Sequence, residues 1–352
     1  MSSDIDDLLD APTVVRTIIP IANGEIDPRI KDLSYSSLLT KHKCPRKFEL
    51  YRKKAVDDIS SPLAASNQNV TFAFGHVVGD AVQNILDGWS EEQVIWHIYL
   101  GWHASLDDAN DKQVKSIWWA ILAAQRFISL RESGFLADYE LLVYNGKPAK
   151  ELSFRISLPD GFKFRGSVDA VLRHRVTGRI LVLEAKTSSA TNLNPTAYKN
   201  SSQAIGYSVV LDVIAPDVNS YDVLYLVYLT KSQEYQQLRF PKTYLQRAQW
   251  IQELLIDVEE IRHYEELGVY PMRGESCYDF FHDCEYLSQC TLSTERVTAP
   301  LVADAIYDDK VYDVELTLED LIEGQMKKVI SIEELVASTD PDVQIFDGDN
   351  IL

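Results

Sequence analysis

The stretch that decides the fold is GSVDAVLRHRVTGRILVLEAKTSSATNLNPTAYKNSSQAIGY, residues 166–207. Residues 163–173, which overlap its start, alternate polar and apolar side chains, and this pattern predicts a strand with one buried face. Residues 179–187 contain an unbroken apolar run and predict a strand buried on both faces. The Val-Thr-Gly sequence at 176–178 predicts a hairpin turn, so the two strands are expected to be neighbours.

The polar residues of this stretch predict a metal site. Asp169 lies on the first strand, Glu184 and Lys186 share one side of the second, and Gln203 and Tyr207 follow at helical spacing. Adjacent carboxylates repel, so the pKa of each would rise unless a cation lay between them. A divalent metal held by carboxylates, with coordination positions left open, is suited to attack on a phosphodiester. The alternative for Glu184 and Lys186 is an ion pair at a sheet edge, but the ordered set of five favours the metal site.

At these residues the chain resembles the PD-(D/E)XK nuclease superfamily, in the branch similar to RecB-type nuclease domains and Cas4-type exonucleases. The resemblance implies an α/β fold: a restriction-endonuclease-like core of a helix, a three-stranded meander, a helix and a further strand. This core would form a mixed β-sheet flanked by helices, with an added helical subdomain and an iron–sulfur clasp. The proline that often precedes the first aspartate of the motif is replaced here by Val168.

The resemblance also implies a role for each residue of the motif. Asp169, Glu184 and the backbone carbonyl of Ala185 would bind Mg²⁺ or Mn²⁺. Lys186 would orient or activate the attacking water, and the two helical residues of the motif would position the DNA strand. The implied catalytic set is Asp169, Glu184, Lys186, Gln203 and Tyr207.

A third metal ligand is less clearly indicated. Residues 74–83 resemble the family's Gly-x-x-x-His helix, but Gly79 occupies the histidine position. His76 and Asp80 lie one turn apart, so either is a candidate ligand; an ordinary, partly buried histidine is the preferred interpretation of His76. Glu151, at the start of a predicted strand, is a weaker candidate, and for it a solvated strand end is the preferred interpretation.

The four cysteines predict a second centre. Cys44 lies in a Cys-Pro segment before the core, and Cys277, Cys284 and Cys290 follow it with the spacing C-x6-C-x5-C. With no signal peptide at the start, four thiols suggest one tetrahedral thiolate site rather than disulfides, and both Zn²⁺ and an iron–sulfur cluster accept such ligands. The alternative is four buried thiols. The resemblance implies a [4Fe-4S] cluster, although the related nucleases commonly have a shorter C-x2-C first gap.

The acidic charge of the chain is concentrated at its two ends. Of the formal charge of −19, −4 lies in residues 1–10 and −11 in residues 301–352, which leaves −4 for the body. Basic residues are frequent at 41–54, where Glu49 is their sole acidic neighbour in sequence. Local positive charge of this kind suits phosphate binding, and the alternative is a solvated helix face. The DNA-binding candidates are Lys43, Arg46, Lys47 and Arg165.

The predicted organisation has three parts. Residues 1–33 form an acidic irregular N-terminus, 34–291 a nuclease domain and 292–352 an acidic C-terminal tail. Within the nuclease domain, a mostly helical part (34–135) precedes the catalytic sheet core (136–240) and a final helix with the cysteine cluster (241–291). Single helices are predicted over 36–54, 75–89, 91–103, 112–133, 195–212 and 243–267. Four tryptophans are expected to pack the helical part, the alternative being stacking on single-stranded bases: Trp96, Trp102, Trp118 and Trp119.

Together these features predict a Mg²⁺- or Mn²⁺-dependent DNA exonuclease that acts on single-stranded ends and hydrolyses phosphodiesters with a water bound to the metal. The expected setting is recombination, repair or phage DNA metabolism in the cytoplasm of a prokaryotic or phage-infected cell. Without a G-x4-G-K-[ST] loop, unwinding would need a helicase or recombination partner. No apolar run is long enough to span a membrane.

The alternative function is a catalytically silent protein of the same fold that binds DNA ends or docks a partner. The acidic tail, with hydrophobic residues among the acids at 345–349, is then a docking segment or DNA mimic, although a disordered, solubilising tail is the simpler interpretation.

Overall fold

The computed structural model describes residues 26–53, 70–102, 115–216, 221–279, 282–287, 290 and 311–326. The chain divides into two compact units. The cysteine unit comprises residues 1–61, 159–164 and 253–310, and the sheet unit comprises residues 62–158, 165–252 and 311–352. Several predicted features lie outside the described residues: the acidic start of the chain, Lys54, the loop near 60–68 and the segment 345–349.

The helices in chain order are α1 (Pro28–Lys31), α2 (Tyr35–Lys43), α3 (Pro45–Arg52), α4 (Val70–Leu86), α5 (Glu91–Gly101), α6 (Ile117–Glu132), α7 (Pro195–Lys199), α8 (Ser202–Ile214), α9 (Tyr244–Leu267) and α10 (Leu318–Met326). The strands are β1 (Asp32–Ser34), β2 (Tyr139–Leu141), β3 (Val143–Tyr144), β4 (Lys147–Pro148), β5 (Lys150–Ser157), β6 (Lys163–His174), β7 (Ile180–Ser188), β8 (Tyr221–Leu229), β9 (Glu234–Lys242), β10 (Tyr278–Asp279), β11 (His282–Asp283) and β12 (Val314–Thr317). None of the described helices is both long and apolar enough to cross a membrane.

The sheet unit is built around a mixed β-sheet. Its strands lie in the order β12-β5-β6-β7-β8-β9, and β2 also pairs with β6. Strand β7 is antiparallel to β6 and parallel to β8, while β9 is antiparallel to β8. The order helix α4, strands β5-β6-β7, helix α8 and strand β8 is the arrangement that the sequence predicts. The expected mixed central sheet flanked by helices is therefore confirmed.

Strand β7 is buried because its side chains are apolar on both faces. The four residues of the run 180–183 are each at most 1% exposed, as the sequence predicts. The β6–β7 turn is also confirmed: the N–H of His174 donates to the carbonyl of Arg179 at 2.8 Å. Gly178 has φ +70°, which a residue without a Cβ adopts readily, so this glycine permits the tight connection.

Two of the expected single helices are each divided in two. The predicted helix 36–54 breaks at Cys44, whose φ and ψ are −157° and 106°. Pro45 follows it, and a proline disfavours helical geometry at the preceding residue, so α2 ends at Lys43 and α3 starts at Pro45. Likewise, the predicted helix 195–212 is divided between α7 and α8 at residues 200–201.

The expectation for the tryptophans is half right. Trp102 is buried in the helical core formed by α4, α5 and α6, and Trp119 packs against that core. Trp96 and Trp118 are instead 62% and 63% exposed. Only two of the four therefore pack the helical part, and the ring of Trp96 stacks on Tyr99 at a centroid distance of 5.7 Å.

Part of the acidic C-terminal segment belongs to the sheet unit. Strand β12 pairs in parallel with β5, with Val314 opposite Phe154 and Leu316 opposite Ile156. Helix α10 packs on α8, and its Leu321 is fully buried. The sequence predicts a helix over 317–328, which overlaps α10, but not the added strand, because a four-residue strand in an acidic segment has little apolar pattern of its own.

Candidate active site and cysteine centre

The candidate active site lies where the pairing of β6 with β7 ends. The paired stretch runs from Arg173 and Ile180 to Ala170 and Leu183. Next to it, the backbone N–H of Ala185 donates to Oδ2 of Asp169 at 2.9 Å. If the strand pairing continued, this N–H would donate to a backbone carbonyl of β6. It donates to the carboxylate of Asp169 instead, and this bond fixes the side chain of Asp169 against β7.

Glu184 and Lys186 share one side of β7, as their two-residue spacing predicts. The side chain of Glu184 is 1% exposed, whereas that of Lys186 is 40% exposed and places Nζ 2.5 Å from Oε1 of Glu184. The other oxygen of Glu184, Oε2, is buried without a hydrogen-bond partner among the described residues. Lys186 therefore offsets the charge of one carboxylate oxygen and leaves the other available.

The carboxyl groups of Asp169 and Glu184 both have raised pKa values. Burial raises the pKa of Asp169 well above its ordinary value, and the charge of Glu184 raises it further, against opposing effects of Lys186 and the Ala185 N–H. Burial likewise raises the pKa of Glu184, against the effect of Lys186. One lysine thus does not compensate the two carboxylates, and a bound cation would relieve the remaining repulsion.

Gln203 and Tyr207 lie one turn apart on α8 and contact each other. Nε2 of Gln203 donates to Oη of Tyr207 at 2.6 Å. Tyr207 is 7% exposed, and its ring meets that of Phe154 edge-on at 6.1 Å. Burial raises the pKa of Tyr207 far above its ordinary value, and the charges of Glu184 and Asp169 add to this rise, so the phenol lies near both carboxylates. The structure therefore brings all five predicted catalytic residues together.

Glu151 lies exposed near the start of β5, in agreement with the preferred interpretation of a solvated strand end. Its carboxylate also accepts from Nε2 of Gln83 at 2.6 Å and from Oγ of Ser167 at 2.8 Å. Its charge also contributes to the raised pKa of Asp169, after burial and Glu184. Ser167 could have been noticed, since it lies two residues before Asp169 on the same strand face. Gln83 gives no such signal, because its place depends on how α4 packs.

The two candidate metal ligands on α4, His76 and Asp80, differ in their exposure to solvent. His76 is exposed, not partly buried as expected. Asp80 is partly buried, and one of its oxygens lies 3.7 Å from Nε2 of His97. Burial raises the pKa of Asp80, and the charge of Glu151 raises it further, so Asp80 lies beside this group of acids. Among the described residues, no heavy atom beyond its chain neighbours and its own helix backbone lies within 4 Å of the position that a Cβ of Gly79 would take.

The chemistry of Asp169 and Glu184 fits a divalent cation. They supply hard oxygen donors, one of which is buried without a hydrogen-bond partner, and their charge exceeds that of the nearby lysine. Across the described part of the chain, however, no three His, Cys, Asp or Glu side chains converge closely enough to enclose a metal ion. The carboxylate pair therefore provides an open position rather than a closed cage.

The cysteine unit brings the C-terminal cysteine segment to the Cys44 junction. Oγ of Ser276 donates to the carbonyl of Lys43 at 2.7 Å, and a guanidinium nitrogen of Arg273 donates to the carbonyl of His42 at the same distance. The N–H of Arg46 donates to the carbonyl of Pro271 at 3.1 Å. These bonds hold residues more than 220 positions apart on the two sides of the helix break.

The four cysteines carry free thiols, and none of them forms a disulfide. Burial raises the pKa of Cys290, and after an opposing effect of Arg46 the charges of Cys44 and Cys277 also raise it, so these three thiols lie near one another. The backbone N–H of Cys284 donates to the carbonyl of Cys277 at 2.8 Å. A soft, four-sulfur donor set suits Zn²⁺ or an iron–sulfur cluster, although the described thiols do not converge into a closed site.

The basic segment at 41–54 is more neutralised than the sequence suggests. Lys41 is buried and pairs with Asp257 at 2.6 Å and with Glu260. Lys53 is also buried and pairs with Glu265 at 2.6 Å. Among the described residues, further ion pairs of this segment include Arg52–Asp32 and Lys47–Glu285, both at 3.5 Å. Glu49 is the one acid within the segment, but acids more than 200 residues away also oppose its charges in the structure.

Of the four DNA-binding candidates, Lys43 is exposed, and Arg46, Lys47 and Arg165 are partly buried. Arg46 pairs with Glu49 within α3.

Fold and site together define a mixed α/β protein with a buried carboxylate pair, a lysine and a Gln–Tyr helix face at the open end of a hairpin. The chain belongs to the PD-(D/E)XK nuclease superfamily, whose sequence model matches residues 32–291. Members of this superfamily are usually metal-dependent nucleases.

A solved structure described as "Crystal structure of SSO0001" is similar to this chain at 14% identity and a TM-score of 0.30, over 65% of this chain and 76% of that one. None of the curated proteins compared with the chain matches it.

Proposed function

We propose that this protein hydrolyses phosphodiester bonds in DNA with Mg²⁺ or Mn²⁺, at the site formed by Asp169, Glu184 and Lys186. The observation that supports it most is the meeting of two carboxylates and a lysine at the end of the β6–β7 pairing, with Oε2 of Glu184 buried and lacking a hydrogen-bond partner among the described residues. When bound, a divalent cation supplies the Lewis acidity that polarises the phosphate.

Each side chain of the site has its own role in the proposed reaction. Asp169 and Glu184 hold the cation, with the Ala185 carbonyl as a third oxygen donor; the Ala185 N–H fixes Asp169. Lys186, beside Glu184 and partly exposed, orients the attacking water and offsets negative charge at the phosphate. Gln203 and Tyr207 position the strand next to the carboxylates.

We further propose that the protein belongs to the RecB- and Cas4-like branch and acts as an exonuclease on single-stranded DNA ends in recombination, repair or phage DNA metabolism. Lys43, Arg46, Lys47 and Arg165 would contact phosphates of the strand. The exposed side chain of Lys43 supports such a contact, since phosphate binding depends on accessible local charge.

In the cysteine unit, the four cysteines would hold a [4Fe-4S] cluster, with structural Zn²⁺ as the alternative. The hydrogen bonds that tie residues 271–276 to the Cys44 junction support a shared centre for Cys44 and the C-terminal trio. A cluster at this point would join two segments that are far apart in sequence.

The nuclease proposal is tested with linear single-stranded, linear double-stranded and circular single-stranded DNA, each with Mg²⁺, Mn²⁺ or a chelator. We expect the linear single strand to be degraded only with metal, and the circle to remain intact because an exonuclease needs an end. Cleavage of the circle would refute the exonuclease assignment. Binding of DNA without any cleavage would favour the catalytically silent alternative.

A pair of lysine variants tests the catalytic assignment. Lys186→Met should lower the cleavage rate by at least about 100-fold, the lower range for a group that assists proton transfer. Lys231→Met removes an exposed lysine that follows β8 and serves as the matched control, with unchanged cleavage expected. Cleavage by Lys186→Met at the rate of the control would remove Lys186 from the mechanism.

The cluster is tested by purification without oxygen, followed by a visible spectrum and by iron and zinc analysis. We expect a brown protein that contains iron, and loss of colour and iron in Cys44→Ser. A colourless protein loaded with zinc would replace the cluster by the structural zinc alternative, without affecting the nuclease proposal.

A further inference from the structure

Phe72 is an exposed aromatic side chain on α4, outside the face by which this helix packs in the core. Phe74, two residues later, belongs to that packed face: its ring is fully buried and lies 6.3 Å from the ring of Tyr228. Phe72 is instead 65% exposed. A single exposed apolar side chain is common on protein surfaces, so its position relative to the candidate active site decides whether it has a function.

The face of α4 that carries this side chain runs alongside the sheet. Four residues, separated by three, four and four positions, share this face: Phe72, Gly75, Gly79 and Gln83. At one end of the face, Nε2 of Gln83 donates to Oε1 of Glu151 at 2.6 Å. Farther along, a Cβ on Gly75 would lie 3.7 Å from Oγ1 of Thr187, the residue after Lys186. The face therefore extends from the start of β5 to the end of β7 that carries the catalytic lysine.

Phe72 lies at the level where β7 ends. Val82 packs in one core cluster with Leu183, whereas Gly75 lies beside Thr187, so α4 and β7 run in opposite directions. Phe72 precedes Gly75 by three residues, which is about 4.5 Å along the helix axis. Strand β7 ends one residue after Thr187, which is about 3.3 Å farther along the strand. The exposed ring is thus placed at the mouth of the site, where an incoming strand would pass.

The surroundings of the ring suit a charged polymer better than an apolar partner. Nζ of Lys115 donates to Oγ1 of Thr71 at 3.4 Å, which places an ammonium group beside the residue that precedes Phe72. Toward the site, the side chain of Lys186 is 40% exposed. Between them, Gly79 contributes no side chain to this face of α4. Aromatic faces flanked by positive charge bind single-stranded nucleic acid, because the bases stack on the rings and the phosphates meet the cations.

We propose that Phe72 stacks on an unpaired base of the DNA strand bound at the candidate active site, while Lys115 contacts a phosphate of the same strand. The ring thereby determines specificity for single strands, since a paired base inside a duplex has both of its faces covered by neighbouring bases. Phe72 binds the strand and does not touch the reacting atoms. The inference rests on the proposed function, because it requires DNA at the site of Asp169 and Glu184.

The test measures binding of a short labelled single strand and of the matching duplex to the full-length protein by fluorescence anisotropy, with a chelator to prevent cleavage. Phe72→Ala should weaken binding of the single strand about 5- to 100-fold, the range for loss of one base–aromatic stack, and leave binding of the duplex unchanged. Phe72→Tyr keeps the ring and should bind as the wild type does. Trp96→Ala is the matched control, since Trp96 is 62% exposed on α5, and its affinity should be unchanged.

Strands that each lack one base distinguish stacking from a merely structural effect. In the wild type, removal of the base that meets Phe72 should weaken binding, and removal of the other bases should matter less. In Phe72→Ala the loss at that one position should disappear, because the partner of the base is already absent. A position-specific loss of the same size in both proteins would overturn the stacking role.

Lys115→Met tests the phosphate contact. The slope of log affinity against log salt concentration should become shallower by about 0.7, the value for one phosphate of a single strand. An unchanged slope would remove Lys115 from the proposed contact.

Failure of this inference can be told apart from failure of the proposed function. Tight single-strand binding by the wild type and equally tight binding by Phe72→Ala would refute the role of Phe72 alone. Equal weakening by Phe72→Ala and Trp96→Ala, or equal weakening for single strand and duplex, would also refute it. A wild-type protein that neither binds nor cleaves DNA would refute the proposed function, and the inference with it.

Discussion

Replacement of Gly206 by alanine should destabilise the protein, because Trp250 fills the space that the new methyl group would need. Gly206 lies on α8 between Gln203 and Tyr207. An ideal Cβ at this position would be 2.6 Å from Cζ2 and 3.0 Å from Cε2 of the Trp250 ring. The ring cannot move aside freely, since it is 5% exposed and its Nε1 donates to Oγ of Ser202 at 3.1 Å.

Two opposing contributions determine how much Gly206→Ala changes the free energy of unfolding. Overpacking a well-filled site costs about 1–3 kcal/mol. Alanine is favoured over glycine inside a helix by about 1 kcal/mol. The expected net effect of Gly206→Ala is therefore a loss of up to about 2 kcal/mol in the free energy of unfolding. The shift of α8 should also reduce DNA cleavage, since this helix carries Gln203 and Tyr207.

Gly79→Ala is the matched control within the same unit. Gly79 also lies inside a helix, but in the part of the chain that the structure describes no atom outside its own helix backbone and chain neighbours lies within 4 Å of its missing Cβ. This substitution should stabilise the protein by about 0.5–1 kcal/mol through helix propensity alone. Denaturant unfolding of both variants measures the difference, for which we expect opposite signs. Equal stabilisation by the two substitutions would refute the packing of Trp250 on Gly206.

Three further variants test charges within the sheet unit. The pKa of Asp169 is raised in the folded protein, so ionisation of this carboxyl group opposes folding. The free energy of unfolding should therefore fall as pH rises from the ordinary pKa of an aspartate toward the pKa of Asp169 in the folded protein. Asp169→Asn should accordingly be more stable than the wild type at neutral pH with a chelator, and this advantage should shrink in acid; a pH-independent difference would contradict it. Asp212→Ala should cost about 3–5 kcal/mol in denaturant unfolding, because Arg247, fully buried and 2.9 Å away, would lose its partner; a loss below about 1 kcal/mol would contradict the buried pair. Burial lowers the pKa of Lys242 from 10.5 to about 8, so the wild type should gain stability relative to Lys242→Met as pH rises from 8 to 10.5, and parallel stability curves would disprove this.

Local patterns were sufficient for the central strands. The two-residue period places Glu184 and Lys186 on one side of β7, and the apolar run 180–183 predicts its burial, which the structure confirms. The helix break at Cys44 was also encoded locally, by Pro45, although a single helix was predicted over 36–54. A proline rule applied residue by residue would have found the break.

The charges of the basic segment could not be judged from local sequence. Lys41 has no acid near it in the sequence except Glu49, yet in the structure Asp257 and Glu260 pair with it. Partners more than 200 residues apart leave no periodic signal, because their meeting depends on how α2 and α9 pack. For the same reason the exposure of Trp96 and Trp118 was not predictable from their helices.

The sequence by itself determined the order of the elements and the chemical identity of the site, because strand periodicity, turn residues and motif spacing act over a few residues. The tertiary structure alone decided that Gln83 donates to the carboxylate of Glu151, 68 positions away. It also decided that β12 completes one side of the sheet beside β5. Such contacts are set by the packing of whole helices and strands, which minimises exposed apolar surface over the entire unit and leaves no trace in any single segment.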